Sequence, residues 1–253
     1  METMKPDRAF LKANQWREWR GLETDQKKGL PAPPPEKPYA ETAVLIDLTP
    51  PDALTVGQMP LIEAIRRRRS RRAFTHEPLT LEELSFLLWA TQGVSKVIPQ
   101  DGGKTIRTLR TVPSGGARHP FETYLLVNRV EGLAPGLYRY LPLEHKVYFL
   151  RAGADMVGQF HDATNGQYVW DSAVVFIWTA IPYRTEWRYS IVAPKIIAQD
   201  SGHLCQNLYL ASEAIGAGTC ALGAYDQEKM DSALGVDGEE EFVIYVAPVG
   251  KVG

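Results

Sequence analysis

The apolar and polar positions of this chain change period several times, and each change marks an element. In MPLIEAIRRRR, Leu61, Ile62 and Ile65 fall at helical spacing, which predicts a short helix ending beside a run of arginines. In TLEELSFLLWATQG, Thr80 stands three residues before Glu83 and ahead of an apolar face. That is a capping box, and Gly93 predicts the stop. FETYLLVNRV (121–130) predicts a strand, and GLYRYLPLEHKVYFLRAG (136–153) a hairpin turning at Leu141–Glu144. AVVFIWTAI (173–181) is apolar on both alternating faces, as in a strand at the middle of a sheet. The longest helical pattern covers 194–218 and ends at Gly216. A short helix follows, with Asp226 as N-cap and Gly235 past its end, and EFVIYVAPVG (241–250) predicts the last strand. Grouped helices with a hairpin among the strands predict an α+β fold with a mixed or antiparallel sheet, not a doubly wound parallel one.

Residues 1–57 have another character. PAPPPEKP (31–38) and TPPDA (49–53) are extended, proline-rich chain that cannot pack as regular helix. An amphipathic stretch near 8–20, with Phe10, Trp16 and Trp19, is expected to pack on a surface within the molecule or across a dimer. The compact unit is expected to span 58–253.

Composition narrows the function. The 253 residues are 44% hydrophobic, enough for a real core, and 28 Lys+Arg balance 30 Asp+Glu. That balance argues against a general polyanion binder, so no nucleic-acid partner is expected. The first residues carry charges throughout and no apolar signal core. The apolar run at 173–181 is about half the length of a membrane helix, so no membrane partner is expected either. Cys205 and Cys220 are too few and too far apart for a zinc site or redox pair, which points to a reducing cytoplasm and no metal. Cys205, on the apolar side of its helix, reads as a buried structural thiol.

Four stretches could carry chemistry. In RRRRSRR, Arg68, Ser70 and Arg72 alternate, so in extended chain they point the same way and suit a phosphate monoester; the run also suits a solvated basic face. TVPSGGARHP (111–120) is a glycine loop that could approach a flat ligand, or an ordinary connection before a strand. GAGTCALGAYD (216–226) leaves room for a planar group, or is a tight connection between helices. EWRYS offers Arg188 and Tyr189 as cation and acid/base, or as a surface pair. There is no GxGxxG, so a Rossmann nicotinamide domain is not expected.

In order along the chain, RRRRSRRAF, LTLEELSFLLWATQG, PSGGARHPFETYLLV, GLYRY, DSGHLCQNLYLASEAIGAGTCALGAYD and EEEFVIYVAPVGKV resemble the FMN-dependent nitroreductase family, from about residue 58 to the C-terminus. Within it they resemble the SagB type, thiazole/oxazole-forming dehydrogenases that oxidise azolines in peptides. The resemblance implies a mainly antiparallel central sheet flanked by helices, and a homodimer with flavin sites at its interface. It implies that Arg68, Ser70 and Arg72 hold the FMN phosphate and ribityl chain, with Arg69 close by and Lys251 as a second cation. The stretch from Pro113, Ser114 and Gly115 to Arg118 would come from the opposite subunit and lie along the isoalloxazine. Ala221, Leu222 and Gly223 would lie on its other side, with an N–H near Gly223 bonding N5, and Gln167 at the pyrimidine edge. Arg118 would offset the negative charge gained near N1 and O2 on reduction.

The activity implied is FMN-dependent hydride transfer by ping-pong kinetics, from NAD(P)H to a small organic acceptor. An azoline-to-azole dehydrogenase acting on a ribosomal peptide and a non-catalytic flavin-binding subunit of a larger assembly are the alternatives. Two departures bear on the choice. The azoline-oxidising members carry Lys-Tyr where this chain has Arg188-Tyr189, and an arginine cannot give up its proton to act as a base. YSIVAPKIIAQ also departs from the family's glycine- and arginine-rich run, which implies altered substrate recognition.

Overall fold

The structure is a computed structural model, and it describes residues 7–253. Seven strands make one antiparallel sheet in the order β1-β6-β5-β4-β7-β9-β8. They are β1 (Leu45–Asp47), β4 (Phe121–Val127), β5 (Gly136–Leu141), β6 (Lys146–Arg151), β7 (Val174–Ala180), β8 (Ala217–Thr219) and β9 (Phe242–Lys251). Every residue of β4 and β7 is buried, as the unbroken apolar run of β7 demands. The pleat sends alternate side chains to opposite faces. Phe176 and Trp178 join a core with α3 (Leu81–Gln92) and α6 (Ala193–Ala214), while Val175 and Ile177 join one with α4 (Met156–Ala163) and α7 (Gln227–Leu234). The result is the α+β sandwich expected, a sheet with helices on both faces.

Local signals set several boundaries. Thr80 Oγ1 accepts from Glu83 N at 3.1 Å and Glu83 Oε2 accepts from Thr80 N at 3.0 Å, so the capping box starts α3. Asp226 accepts from Lys229 N at 3.1 Å to start α7, and Gly235 ends it at φ 86°. The α6 pattern stops earlier than its apolar spacing suggests. Gly216 takes φ 68°, and residues 217–219 pair with β9 as β8.

Two features depart from the periodicity. The helix α2 (Leu61–Arg67) forms, but Leu61, Ile62 and Ile65 are 65%, 59% and 58% exposed and only Ala64 is buried. A two-stranded ribbon, β2 (Val94–Gln100) with β3 (Thr105–Arg110), stands apart from the main sheet with mixed exposure on both strands, which is why no clean alternation announces it.

The proline-rich chain before α2 is stitched to the sheet through its backbone. Lys37 N donates to Glu122 Oε1 at 2.8 Å, and Arg139 donates to the Lys37 and Pro38 carbonyls at 2.6 and 3.1 Å. Arg110 donates to the Pro35 carbonyl at 2.8 Å, and the Trp187 indole to the Leu30 carbonyl at 3.0 Å. Arg184 closes on the same Glu122 oxygen at 2.6 Å, so the anchor is a buried charge cluster with most of its donors committed. Glu36 accepts from Leu143 N at 3.1 Å, and burial pushes its carboxyl up to about 7. Cys205 and Cys220 are free and buried, and burial pushes the Cys205 thiol up to about 12. No helix among the described residues is long and apolar enough to cross a membrane.

Candidate functional site

The arginine run leaves α2 in extended conformation and lies along the short edge strand β8. Arg71 N donates to the Thr219 carbonyl at 2.9 Å and Thr75 N to the Lys251 carbonyl at 2.9 Å. Such close approach requires glycine on the facing strands. A Cβ on Gly218 would sit 2.4 Å from Arg71 Cγ, and one on Gly250 would sit 2.8 Å from Phe74 Cβ.

Tyr209, on α6, ties this run to the 221–223 loop. Its hydroxyl lies 3.1 Å from Ser70 Oγ and accepts from Ala221 N at 2.9 Å, while the Arg68 guanidinium lies 5.3 Å from its ring centre. Arg68 and Ser70 therefore face the same side, as their alternation suggests. Arg71 turns the other way, 3.6 Å from the buried Glu213. Among the described residues, no carboxylate pairs with Arg68, Arg69 or Arg72.

The loop beyond Tyr209 spends two of its three amides internally. Ala221 N goes to Tyr209 and Leu222 N to the Val246 carbonyl at 2.7 Å, whereas Gly223 N has no acceptor among the described residues and its Cα faces open space. Gln167 joins this loop from α4's end. Its amide donates to the Thr164 and Ala224 carbonyls at 2.7 and 2.8 Å, so the side chain is committed to the backbone one residue past Gly223. Lys251 is also committed, held by Glu83 and by the Ile215 carbonyl at 3.0 Å.

A second cluster forms around the glycine loop at 113–118. Asp200, from α6, accepts from Ser114 Oγ at 2.7 Å and Gly115 N at 3.0 Å, and burial raises its carboxyl above the usual range. Ser114 Oγ in turn accepts from His119 N at 2.9 Å. Gly115 and Gly116 press on neighbouring side chains. A Cβ on Gly115 would lie 2.4 Å from Ile196 Cγ2, and one on Gly116 would lie 2.7 Å from the Tyr189 hydroxyl. Gly116, Ala117 and His119 all take positive φ, at 59°, 54° and 46°. For the last two this is strain, the kind that concentrates at functional loops. Burial and the nearby Arg110 and Arg118 guanidiniums push the His119 imidazole down to about 3.

Arg188 and Tyr189 end α5 (Tyr183–Tyr189) under this loop, the Arg188 guanidinium 5.4 Å from the Tyr189 ring centre. Tyr189 lines an open cleft of about 550 Å³ with Trp16, Gly115, Ile196, Gln199, Asp200 and His203. Arg118 does not reach this cleft. It turns inward, donates from Nε to the Arg184 carbonyl at 2.8 Å and stacks 4.7 Å from the Trp187 ring centre. Burial and the Arg188 and Arg184 charges lower its guanidinium to about 10.

The two clusters do not meet within one chain. Asp200 and Tyr209 are nine residues apart on α6, which at 100° and 1.5 Å per residue places them on opposite faces and roughly 13 Å apart along the axis. Both organising residues escape a reading by motif. Asp200 had a signal, a carboxylate in the apolar stripe of Ile197 and Leu204. Tyr209 had none, since its role exists only once β8 and the arginine run lie beside it.

The structure thus combines an antiparallel sheet with helices on both faces, with unpaired arginines beside one glycine loop and a tyrosine beside another. The chain belongs to the nitroreductase family, whose sequence profile matches residues 65–251. It is 32% identical over 204 residues to a protein named as a nitroreductase, MJ1384 of Methanocaldococcus jannaschii, covering 77% of this chain and 95% of that one. It is 27% identical to the trifolitoxin-processing protein TfxB of Rhizobium leguminosarum bv. trifolii over 177 residues, 65% of this chain and 47% of that one. A crystal structure named as a nitroreductase from Anabaena variabilis superposes with a TM-score of 0.67 at 23% identity, covering 96% of this chain and 43% of that one. This chain thus spans less than half of the TfxB and Anabaena chains.

Proposed function

We propose that this nitroreductase-family oxidoreductase binds FMN and, as a homodimer, passes hydride from NAD(P)H to a small organic acceptor in a ping-pong cycle. The observation that carries the reading is the Tyr209 cluster. The Arg68 guanidinium and the Ser70 hydroxyl meet there, with the exposed Arg69 and Arg72 beside them in the chain. None of the three arginines is paired with a carboxylate among the described residues, and close by lies an amide, Gly223 N, that has no acceptor among those residues. Unpaired arginines with a hydroxyl donor match a phosphate monoester, and a free amide in open space matches a ring nitrogen. The residues present therefore fit the group. Arg68, Arg69, Arg72 and Ser70 would hold the phosphate and ribityl chain, and Ala221, Leu222 and Gly223 the ring edge with Gln167 bracing the loop. Bound there, FMN supplies the centre that accepts and returns hydride.

The chain's own residues do the rest. Tyr189 offers its hydroxyl to the cleft as the proton-carrying group, and Arg188 beside it supplies fixed positive charge, not a base. Asp200 holds Ser114 and Gly115, and His203 lies against the Pro113 carbonyl, so the three residues form a wall with Arg118 contributing charge from beneath. Lys251, neutralised by Glu83, would bear on the phosphate only through that pair. Since the two clusters lie on opposite faces of α6, a second copy is needed to bring the Tyr189 cleft of one chain to the Tyr209 cluster of the other. Leu61 lines an apolar groove of about 370 Å³ between α2, α3 and α6, and with Ile62 and Ile65 exposed on the same short helix this side of the chain suits such a copy. Two buried free thiols fit a reducing cytoplasm.

A second reading, oxidation of an azoline in a ribosomal peptide, is favoured by the identity to TfxB. Against it stands Arg188 where the azoline-oxidising members carry lysine.

The test is an absorbance titration of the purified chain with FMN, followed by anaerobic mixing with NADH, NADPH or a peptide azoline. A yellow protein bleached by a nicotinamide and reoxidised by an added nitro compound supports the main reading. Bleaching by the peptide alone favours the second, and no bleaching by any donor leaves a flavin-binding subunit. A colourless protein that refuses FMN overturns all three.

A further inference from the structure

The family profile begins at residue 65, yet one side of the Tyr189 cleft is built from residues well before it. Trp16, on the short helix α1 (Gln15–Trp19), lines the cleft directly, with its ring centre 6.0 Å from that of Tyr189 at an interplanar angle of 76°. Trp19 sits behind both, 5.1 Å from Trp16 and 6.1 Å from Tyr189. It is anchored on the cleft's own helix, where its indole N–H donates to the Arg188 carbonyl at 3.4 Å, and Lys27 lies 5.4 Å from its ring centre. Lys195, on α6, donates to the Leu11 carbonyl and fixes the start of the segment. The segment is thus tied to both helices that form the cleft.

We propose that Trp16 is a specificity-determining residue of this cleft and that Trp19 is its positioning residue. The proposal rests on the reading that the Tyr189 cleft receives the second substrate. Trp16 and Tyr189 meet nearly at right angles, so they form a corner. A flat ring entering the corner lies against one aromatic face and meets the edge of the other, the two arrangements aromatic pairs prefer. Ile196 and the bare Gly115 complete an apolar slot, and the volume falls in the range of small-molecule sites. The polar side chains in the lining, besides the Tyr189 hydroxyl, are Gln199, Asp200 and His203. Asp200 is spent on the glycine loop and His203 lies against the Pro113 carbonyl, whereas the Gln199 side chain has no hydrogen-bond partner among the described residues. A thin planar ring carrying one amide or carbonyl group therefore fits better than a compact aliphatic molecule. The residue that enforces the difference lies outside the part of the chain that matches the family.

The test compares two neutral probes, 4-nitrobenzamide and nitroethane, by equilibrium dialysis against the full chain, with and without FMN. Trp16→Ala is expected to weaken 4-nitrobenzamide binding about three- to tenfold, and nitroethane binding by less than about twofold. Trp16→Phe, which keeps a ring in the corner, is expected to restore most of the difference. Trp19→Phe, which keeps the packing but removes the donor to Arg188, is expected to move selectivity the same way by a smaller factor. Equal losses for both probes, or none for either, overturn the proposal, as does a parent protein that does not distinguish them. FMN affinity measured on the same samples reports separately on the flavin reading. If the parent refuses FMN while dialysis without it still shows the Trp16-dependent difference, the flavin reading fails and the wall stands.

Discussion

Replacing Tyr209 with phenylalanine isolates one atom. The hydroxyl it removes lies 3.1 Å from Ser70 Oγ and accepts from Ala221 N at 2.9 Å, whereas the ring that remains keeps its face toward Arg68. Each such hydrogen bond contributes about 1 kcal/mol net, and a buried amide left without a partner costs about 1–3 kcal/mol. Ser70 is half-buried and regains water, so its share is small. Ala221 N loses the one acceptor it has among the described residues, so most of the loss falls there. The expected loss of folding stability is about 1–2 kcal/mol, read from urea denaturation of the protein without FMN. The same change releases the arginine run from the 221–223 loop, the two segments proposed to grip opposite ends of the coenzyme. If that pre-alignment is worth about one hydrogen bond, FMN binding weakens roughly fivefold at 1.4 kcal/mol per decade. Tyr209→Leu, which also strips the ring from Arg68, should weaken it further by about 0.5–1 kcal/mol. If Tyr209→Phe matches the parent in both measurements, Tyr209 does not join the two segments and the site has been assembled incorrectly.

Gly116→Ala forces a side chain onto φ 59° and against the Tyr189 hydroxyl at 2.7 Å. It should cost about 1–3 kcal/mol and shift the melting temperature downward. Ile62→Asp with Ile65→Asp should convert a dimer to monomers in sedimentation velocity while leaving the circular dichroism unchanged, since both side chains are more than half exposed. Lys251→Met strands the largely buried Glu83 and should cost about 3 kcal/mol, with most of it recovered in Lys251→Met/Glu83→Gln. A single variant that keeps its stability but loses FMN affinity would instead make Lys251 a phosphate ligand. Burial raises Glu36 from 4.5 to about 7, so the folded state holds that proton more tightly than the unfolded state does. Its contribution is fully present below pH 4.5 and is lost as pH rises to 7. Glu36→Gln should therefore flatten the fall in stability across that window, seen in denaturation midpoints at pH 5 and pH 7.

The elements legible in the sequence are those whose signals are local. The capping box at Thr80 and Glu83, the N-cap at Asp226 and the doubly apolar β7 each act through neighbours within a few residues or through burial on both faces. The apolar residues of α2 show where that logic stops. Their spacing states that a helix forms, but it is silent on which surface covers them, and in this chain they face outward. The site divides in the same way. Arg68 and Ser70 share a face because extended chain alternates. Arg118 and Lys251 carry charges that suited an anion, yet tertiary packing supplies each with a partner, Trp187 for one and Glu83 for the other. Asp200 and Tyr209, which hold the two clusters together, depend on segments more than 80 and more than 130 residues away in the chain, respectively.

The carbonyls of Pro35, Lys37 and Pro38 and the amide of Lys37 satisfy Arg110, Arg139 and Glu122 at the heart of the sheet. Trimming the polypeptide to the portion that matches its relatives would strip acceptors from two interior guanidiniums and a donor from the carboxylate between them. Residues 65–251 expressed alone should therefore be less stable than the full chain, as urea denaturation of the two would show. A protease nick near residue 35 should be felt at α5, through the shared Glu122–Arg184 contact, before it is felt at the chain's end.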